Sequence, residues 1–173
     1  MSADWYKEQP TNRNFLNPIG YLLKLEKFEG VDFFCQRANV PDVTMPTTEV
    51  ASPFRNLPII PGGGVSFGDL TVSFIVDEDL KNYNSIHKWM RDNGNADQMQ
   101  RTTSQSDILT NGILQINTSQ FNPAFIVEFR NIFPVSLTGL QFDATITDVE
   151  YITADVTFKH QQFFINDKNN HPL

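Results

Sequence analysis

The residues of this chain that could do chemistry are few and scattered. Three acids stand in a row, Asp77-Glu78-Asp79, and three histidines, His87, His160 and His171, lie far apart. Catalysis needs a nucleophile with a base, paired carboxylates or metal ligands at a workable spacing. The acids directly precede a predicted helix, whose N-terminus favours negative charge without a metal, and the histidines have no zinc-site spacing with a cysteine. The sequence therefore predicts neither an enzyme nor a metal or other cofactor.

Two further features could indicate a chemical site, but the residues around them do not support one. Cys35 is the single cysteine and lies in an apolar segment, where a free thiol is usually a small buried hydrophobe. Gly62-Gly63-Gly64 lacks the Lys and the Ser or Thr that complete a phosphate-binding loop. The glycines indicate backbone freedom at the end of a loop instead.

Composition and charge indicate a protein that meets other proteins. At 173 residues the chain predicts one domain with a real core. Charged residues make up 19% of it, below the roughly 25% usual in soluble domains, and 16 Asn and 10 Gln fill the gap. This suits interfaces, whose centres are depleted of charge; an ordinary polar surface is the alternative. The formal charge of -7 argues against a groove that grips phosphates, yet DNA could slide past such a protein without sticking.

No segment predicts secretion or a membrane span. The N-terminus lacks a basic start followed by an apolar core, and no run of about 18 apolar residues occurs. A lone cysteine cannot form an intrachain disulfide. We therefore expect synthesis in a reducing cytoplasm and no membrane partner.

The first third of the chain predicts an arm, a hairpin and a long loop. Residues 1–18 contain prolines and several Asn, and they predict an extended N-terminal arm. Ile19–Phe28 and Val31–Ala38 predict two strands that are joined in a hairpin at Glu29-Gly30.

The segment 42–66 combines proline with apolar side chains. Five of the ten prolines fall between Pro41 and Pro61, which predicts a loop without a regular helix or a central strand. Loops of this length are usually functional; a floppy connector is the alternative. We interpret the segment as a docking loop that contacts another subunit or ring through Val43, Met45, Val50, Phe54, Leu57 and Ile59.

The remaining pattern is a strand, a helix and then more strands. Alternating apolar residues predict a strand over 70–76, and helical spacing predicts a helix over 79–93, with Asp77 and Asp79 at its N-terminus and Gly94 at its end. Residues 94–111 predict a mobile polar loop.

Strand patterns dominate the second half. Gly112–Asn117, Ala124–Phe133 and Tyr151–His160 predict strands, with Phe163–Ile165 as an extension. Pro134–Thr147 predicts a turn and a short strand, and residues 166–173 predict a flexible tail. Residues 19–165 therefore predict a single mainly β domain, an antiparallel sandwich or barrel with one α-helix.

The order of these parts resembles the tail tube proteins of contractile-tailed bacteriophages of the T-even type and the related baseplate tube proteins. The likeness covers about residues 15–165 and depends on the order and spacing of short motifs. These are Phe34-Cys35 with Ala38 and Pro41, Phe67-Gly68-Asp69-Leu70-Thr71-Val72, Asp77-Glu78, Trp89, Phe129, Phe133-Pro134, Leu140-Gln141-Phe142-Asp143 and Ile152–Phe158.

The resemblance implies a structural virion protein. Subunits of this kind form hexameric rings in which neighbouring sheets join into one continuous inner β-barrel, and the rings stack into a tube inside a contractile sheath. Double-stranded DNA passes transiently through the lumen during ejection. The implied partners are further copies of the chain, the tail sheath protein, and baseplate and tail-terminator proteins, and the implied location is the virion tail.

The polar face of the last long strand is predicted to line that lumen. Its residues are Thr153, Asp155 and Thr157; outer solvent or the sheath is the alternative surrounding. Between Asn131 and Phe158 the chain has four acids and no Lys or Arg, which suits a lumen that repels DNA.

Other functions remain open at this point. The glycine run, the polar loop and the tail exceed the minimal pattern, which leaves open a baseplate tube-initiator with the same domain. A tube subunit of a bacterial contractile injection system is a further alternative and would carry a cargo other than DNA. A monomeric β-sandwich that binds carbohydrate or peptide is the alternative of another class, although two Trp and four Tyr are few for a sugar site.

Overall fold

The computed structural model describes residues 14–26, 34–51, 53–61, 63–94, 108–145, 151–169 and 171. The described part is mainly antiparallel β with one helix, α1 (Lys81–Gly94), as predicted. The strands are β1 (Tyr21–Leu25), β2 (Cys35–Ala38), β3 (Val43–Thr44), β4 (Thr47–Ala51), β5 (Asn56–Pro61), β6 (Ser66–Phe67), β7 (Leu70–Ile75), β8 (Thr110–Asn117), β9 (Pro123–Leu137), β10 (Thr153–Lys159) and β11 (Gln162–Asp167).

The longest strand, β9, organises a seven-stranded sheet of order β1-β8-β9-β10-β7-β2, with β11 also paired to β9. Strands β10 and β11 continue one antiparallel register along the same edge of β9, since Lys159 is opposite Phe133 and Gln162 is opposite Arg130. On the other edge, β8 pairs with β9 only as far as Ile132. The first part of β9 therefore has two neighbouring strands, and its last part has β10 alone among the described strands.

A bend at Asn131 divides this sheet into two layers. Asn131 has a φ of 55°, a left-handed conformation that Asn tolerates better than most residues. Its Nδ2 donates to Gln161 Oε1 at 2.5 Å, and the Gln161 amide donates to the Arg130 carbonyl at 3.1 Å. Both strands of the ladder therefore turn the corner together. We call β1, β8, the first part of β9 and β11 the first sheet, and the last part of β9 with β10, β7 and β2 the second sheet.

The core lies between the two sheets and α1. The helix contributes Ile86 and Trp89; the Trp89 indole donates to the Ile108 carbonyl at 3.0 Å, and its ring centroid is 6.2 Å from that of Phe158. The other fully buried residues of the core are Leu23, Leu70, Val72, Phe74, Val127, Phe129, Ile132, Val156 and Phe158. Burial of these apolar groups is the dominant favourable term in folding.

The sheet does not close into a barrel in the described part of the chain. Strands β1 and β2 have different ladder partners, β8 and β7, and they meet where the Tyr21 hydroxyl donates to the Cys35 carbonyl at 3.5 Å. The predicted hairpin between them is therefore wrong. Alternation identified both strands, but burial against different neighbours decided the pairing; the expected turn at Glu29-Gly30 lies outside the described residues.

The start of α1 also differs from the prediction, because the helix begins at Lys81 and its first turn contains no acid. Asp79 forms an ion pair with Lys81 at 2.5 Å. The buried Asn82 organises the entry to the helix instead: its Nδ2 donates to the Ile75 carbonyl at 2.8 Å, and its Oδ1 accepts from the Asp77 amide at 3.1 Å. Among the described residues, no helix is long and apolar enough to cross a membrane.

Pro134 does not begin a turn, contrary to expectation, because β9 continues through it to Leu137. It lies beyond the last β8 partner, next to a break in register at β10. Proline lacks a backbone donor, and a strand tolerates it where one edge is unpaired or a bulge interrupts the ladder.

Candidate functional site

The groups that could do chemistry are placed singly. Cys35 is half-buried in β2, and burial raises the pKa of its thiol. Burial and the neighbouring Cys35 together raise the pKa of Tyr21 to about 12. A thiol with a raised pKa is a poor nucleophile at neutral pH.

His160 lies inside an aromatic cluster at the junction of β10 and β11. Its ring centroid is 5.3 Å from Phe129, 5.6 Å from Phe163 and 5.9 Å from Phe67. Neither ring nitrogen has a hydrogen bond of acceptable geometry within the described part of the chain. Burial lowers the pKa of His160, opposed by the Gly68 backbone and by Asp69. Among the described residues, no three His, Cys, Asp or Glu side chains lie together as metal ligands.

The predicted docking loop contains a ribbon of paired strands; its described residues form no helix and no central strand, as predicted, but the strand pairs themselves were not expected. We call residues 43–67 the ribbon. Strand β3 pairs with β6 at its base, and β4 pairs with β5 beyond. The ladder shifts register between Thr48 and Glu49, beside Pro58, because an edge pair absorbs a missing donor at a bulge. Gly63 and Gly64 lie between β5 and β6. Their φ values of 81° and 100° confirm the expected backbone freedom.

The ribbon exposes its apolar side chains to solvent. Phe54, between β4 and β5, is 98% exposed, and the other predicted docking residues whose side chains are described are also exposed: Val43, Met45, Val50 and Leu57. The side chain of Ile59 lies outside the described residues. Exposed apolar clusters of this kind mark interaction surfaces.

The predicted lumen residues belong to one polar face of the second sheet. Thr153 and Asp155 are exposed and Thr157 is half-exposed, while Ala154, Val156 and Phe158 between them are buried. We call this side the polar face. It also contains Thr71 and Ser73 of β7, opposite Thr157 and Asp155, and Ser136 of β9, opposite Thr157. The Ser73 hydroxyl donates to Asp155 Oδ1. The opposite side of the sheet faces the core.

The charge of the polar face differs from what the local sequence suggested. Arg37 of β2 pairs in register with Ser73 and lines a shallow groove with Asp155 and Thr153. Lys159 continues the polar side of β10 and lies 3.8 Å from Asp69. Acids and bases therefore alternate with hydroxyls. Sequence reasoning missed Arg37 because only the sheet brings β2 beside β7.

Of the other acids counted near this strand, Asp143 lies in the segment that follows β9. Asp143 accepts hydrogen bonds from the Thr145 amide at 2.8 Å and hydroxyl at 2.6 Å, which lower the pKa of its carboxyl. Asp148 and Glu150 lie outside the described residues. The described polar face is therefore hydroxyl-rich and nearly balanced in charge.

Two edges of the second sheet are open among the described strands. No strand pairs with the outer edge of β2, or with Phe133–Leu137 on the side away from β10. Open edges offer unpaired backbone groups to another chain. The candidate functional surfaces of the described part are therefore these two edges, the ribbon and the polar face.

A family model matches most of the chain. Its description is phage tail tube protein, and it spans residues 8–166. No curated protein sequence matches the chain significantly.

Solved structures share the fold over nearly the whole chain. A chain of the anti-feeding prophage cap, its tube terminating cap, gives a TM-score of 0.63 at 17% identity and covers 93% of this chain and 97% of that one. A chain of the six-fold symmetrised anti-feeding prophage baseplate gives a TM-score of 0.59 at 14% identity. The match covers 91% of this chain and 95% of that one. A chain of the PVC sheath-tube complex of an extracellular contractile injection system gives a TM-score of 0.60 at 13% identity. The match covers 96% of this chain and 99% of that one.

Proposed function

Since the chain belongs to the phage tail tube protein family, whose members are structural and not enzymes, we propose that it closes into six-membered rings that stack into the inner tube of a tail. Double-stranded DNA passes through this tube into the host. The protein is a component of the tail particle, and the ring, the stacking and the cargo are the proposal.

The two open edges of the second sheet are the observation that best supports ring formation. The four strands β2, β7, β10 and β9 alternate in direction. Because their number is even, rotation of a copy about a ring axis brings its β2 antiparallel to the last part of β9 in the neighbour. Six such sheets close into one barrel without an exposed edge. The six-fold symmetrised baseplate assembly of a structural neighbour supports this number.

The polar face fits the inner wall of the tube. The other side of the second sheet is covered by α1 and the first sheet, so the polar face is the side left free for a lumen. Its hydroxyls and balanced charges offer neither strong attraction nor an apolar surface to a passing polyanion. Thr153, Asp155 and Thr157 then line the channel, and cargo slides past them.

Contacts with other tail proteins complete the proposal. The ribbon, with Val43, Met45, Val50, Phe54, Leu57 and Ile59, docks on a neighbouring copy. Structural neighbours occur in assemblies described as a tube terminating cap, a baseplate and a sheath-tube complex. By analogy this chain contacts sheath, baseplate and terminator proteins.

A second function is a tube subunit of a contractile injection system with a cargo other than DNA. The observation that favours it is the likeness to the anti-feeding prophage and PVC chains. A baseplate tube-initiator uses the same domain in one ring. Particles from the native host distinguish the three: DNA in filled tubes, filled tubes without DNA, or a single ring of this chain below another tube protein.

Electron cryomicroscopy of the purified protein tests the central proposal. We expect six-fold rings or hollow tubes whose inner wall is a barrel with β2 of one copy beside Phe133–Leu137 of the next. Rings in which these two edges are not paired would contradict the proposed seam, the pairing of β2 of one copy with β9 of the next. A strictly monomeric protein at high concentration would instead favour a β-sandwich binding module.

A further inference from the structure

A line of polar side chains crosses the strands at the bend. We call Glu26, Asn111, Asn131 and Gln161 the corner network. Asn111 Nδ2 donates to Glu26 Oε2 at 3.3 Å, and Asn111 Oδ1 accepts from the Asn131 amide at 3.4 Å. Asn131 Nδ2 in turn donates to Gln161 Oε1. The line thus joins the end of β1, the start of β8, the middle of β9 and the junction of β10 with β11.

A β-bulge underlies this network. The ladder between β8 and β9 shifts register between Thr110 and Gly112, so that Arg130 and Asn131 of β9 lie opposite Asn111 alone. A bulge bends the strand that contains the extra residue, and Asn131 takes its left-handed φ of 55° at this point. The bulge explains why β9 bends here. The side-chain hydrogen bonds of the corner network, which reach across the bend to both neighbouring strands, can determine by how much.

The angle of the bend determines how the second sheet stands against the rest of the subunit. Strands β9 and β10 both enter that sheet from the corner, and the proposed seam strand Phe133–Leu137 begins just after Asn131. In a ring the second sheet would be one segment of the barrel wall, and the tilt and stagger of strands determine the diameter at which a barrel closes. The first sheet and α1 would lie outside this wall. The angle between the two sheets therefore limits how many copies fit around the axis.

We propose that the corner network fixes the number of copies in the ring, with Asn131 as its positioning residue. The inference rests on the proposed function, because it requires rings that close at the seam between β2 and β9. The outer hydrogen bonds of the network, at Glu26 and at Gln161, are exposed to water, so their net contribution to stability is small. Connected polar networks can nevertheless specify one arrangement among several. The network therefore discriminates between bend angles more than it stabilises the fold.

Native mass spectrometry of assembled rings tests this role. Asn131→Gly removes the side chain and keeps the left-handed backbone, which glycine adopts without a steric penalty. Gln161→Ala removes the acceptor at an exposed position. Each variant should lower the ratio of six-membered rings to other ring sizes and open arcs by about tenfold, the factor that the loss of one net hydrogen bond per copy allows. The double variant should match Asn131→Gly, because both changes remove the same hydrogen bond.

Leu80→Gly is the matched control for this experiment. Leu80 also has a left-handed φ, of 57°, but it lies between β7 and α1 and outside the corner network, so its replacement should leave the ring size unchanged. Gln161→Ala should keep the native circular dichroism spectrum and unfolding midpoint, which separates ring size from folding. Uniform six-membered rings for both Asn131→Gly and Gln161→Ala would overturn the inference and leave the proposed function standing. A native chain that forms no rings would instead contradict the proposed function itself.

Discussion

At the residue scale, His160 is a titratable group held in an apolar setting. Phe67, Phe129 and Phe163 surround it, and the Lys159–Asp69 pair lies beside it. Burial lowers its pKa from the ordinary value of 6.5. The neutral ring fits the cluster that joins the base of the ribbon to β9 and β11, whereas the imidazolium would lose solvation there.

Acid should therefore weaken the fold through His160. The unfolded chain binds a proton near pH 6.5 and the folded chain only at lower pH, so this contribution to stability is complete above pH 6.5 and is lost as pH falls through the folded pKa. Thermal unfolding between pH 7 and pH 5 should show a smaller loss of stability for His160→Phe than for the native chain. His87→Gln, at an exposed position of α1, should behave like the native chain. Equal pH dependence of all three proteins would contradict the prediction.

Asp155 is an acid of the polar face, and reversing its charge should slow the passage of DNA through the tube. Asp155→Lys would leave Arg37 without the acid that shares its groove and place a ring of cations in the lumen, where they would hold phosphates. We expect normal assembly but DNA ejection slowed severalfold, measured as DNA release from particles carrying the variant.

A matched charge reversal separates position from charge in that experiment. Asp92→Lys changes the net charge equally on the exposed side of α1 and should leave ejection unchanged. Normal ejection with Asp155→Lys would contradict the assignment of β10 to the wall of the lumen.

At the element scale, α1 depends on a side chain that joins it to β7. Asn82 is 3% exposed and makes hydrogen bonds to the Ile75 carbonyl and to the Asp77 and Tyr83 amides. Asn82→Ala would leave buried backbone groups without partners, which costs about 1–3 kcal/mol. Denaturant unfolding should show this loss, while Asn84→Ala, at an exposed position of the same helix, should be neutral or slightly stabilising because Ala is the better helix former. An equal loss in both variants would contradict a specific role of the Asn82 side chain.

At the scale of the whole molecule, ring closure depends on the proposed seam between β2 and β9. Gln36 and Ser136 are exposed residues near the two open edges. Like charges on facing strands destabilise a sheet and opposite charges stabilise it. Gln36→Glu with Ser136→Glu should therefore prevent rings, and Gln36→Lys with Ser136→Glu should restore them, as measured by sedimentation and electron microscopy.

Circular dichroism of the isolated subunits keeps this comparison interpretable. Both double variants should show the native spectrum, because the substituted side chains are exposed. If the two variants assemble equally well, these edges are not the seam.

The sequence by itself determined the local elements and the class of protein. Alternation over Ile152–Phe158 and the helical spacing up to Trp89 are properties of neighbouring residues, so they predict strands, faces and a helix before any partner is known. Only the tertiary structure decided the partners. It separated β1 from β2, carried β9 through Pro134, folded the ribbon, and brought Arg37 beside Asp155, because pairing and burial join residues far apart in the chain and leave no local periodic signal.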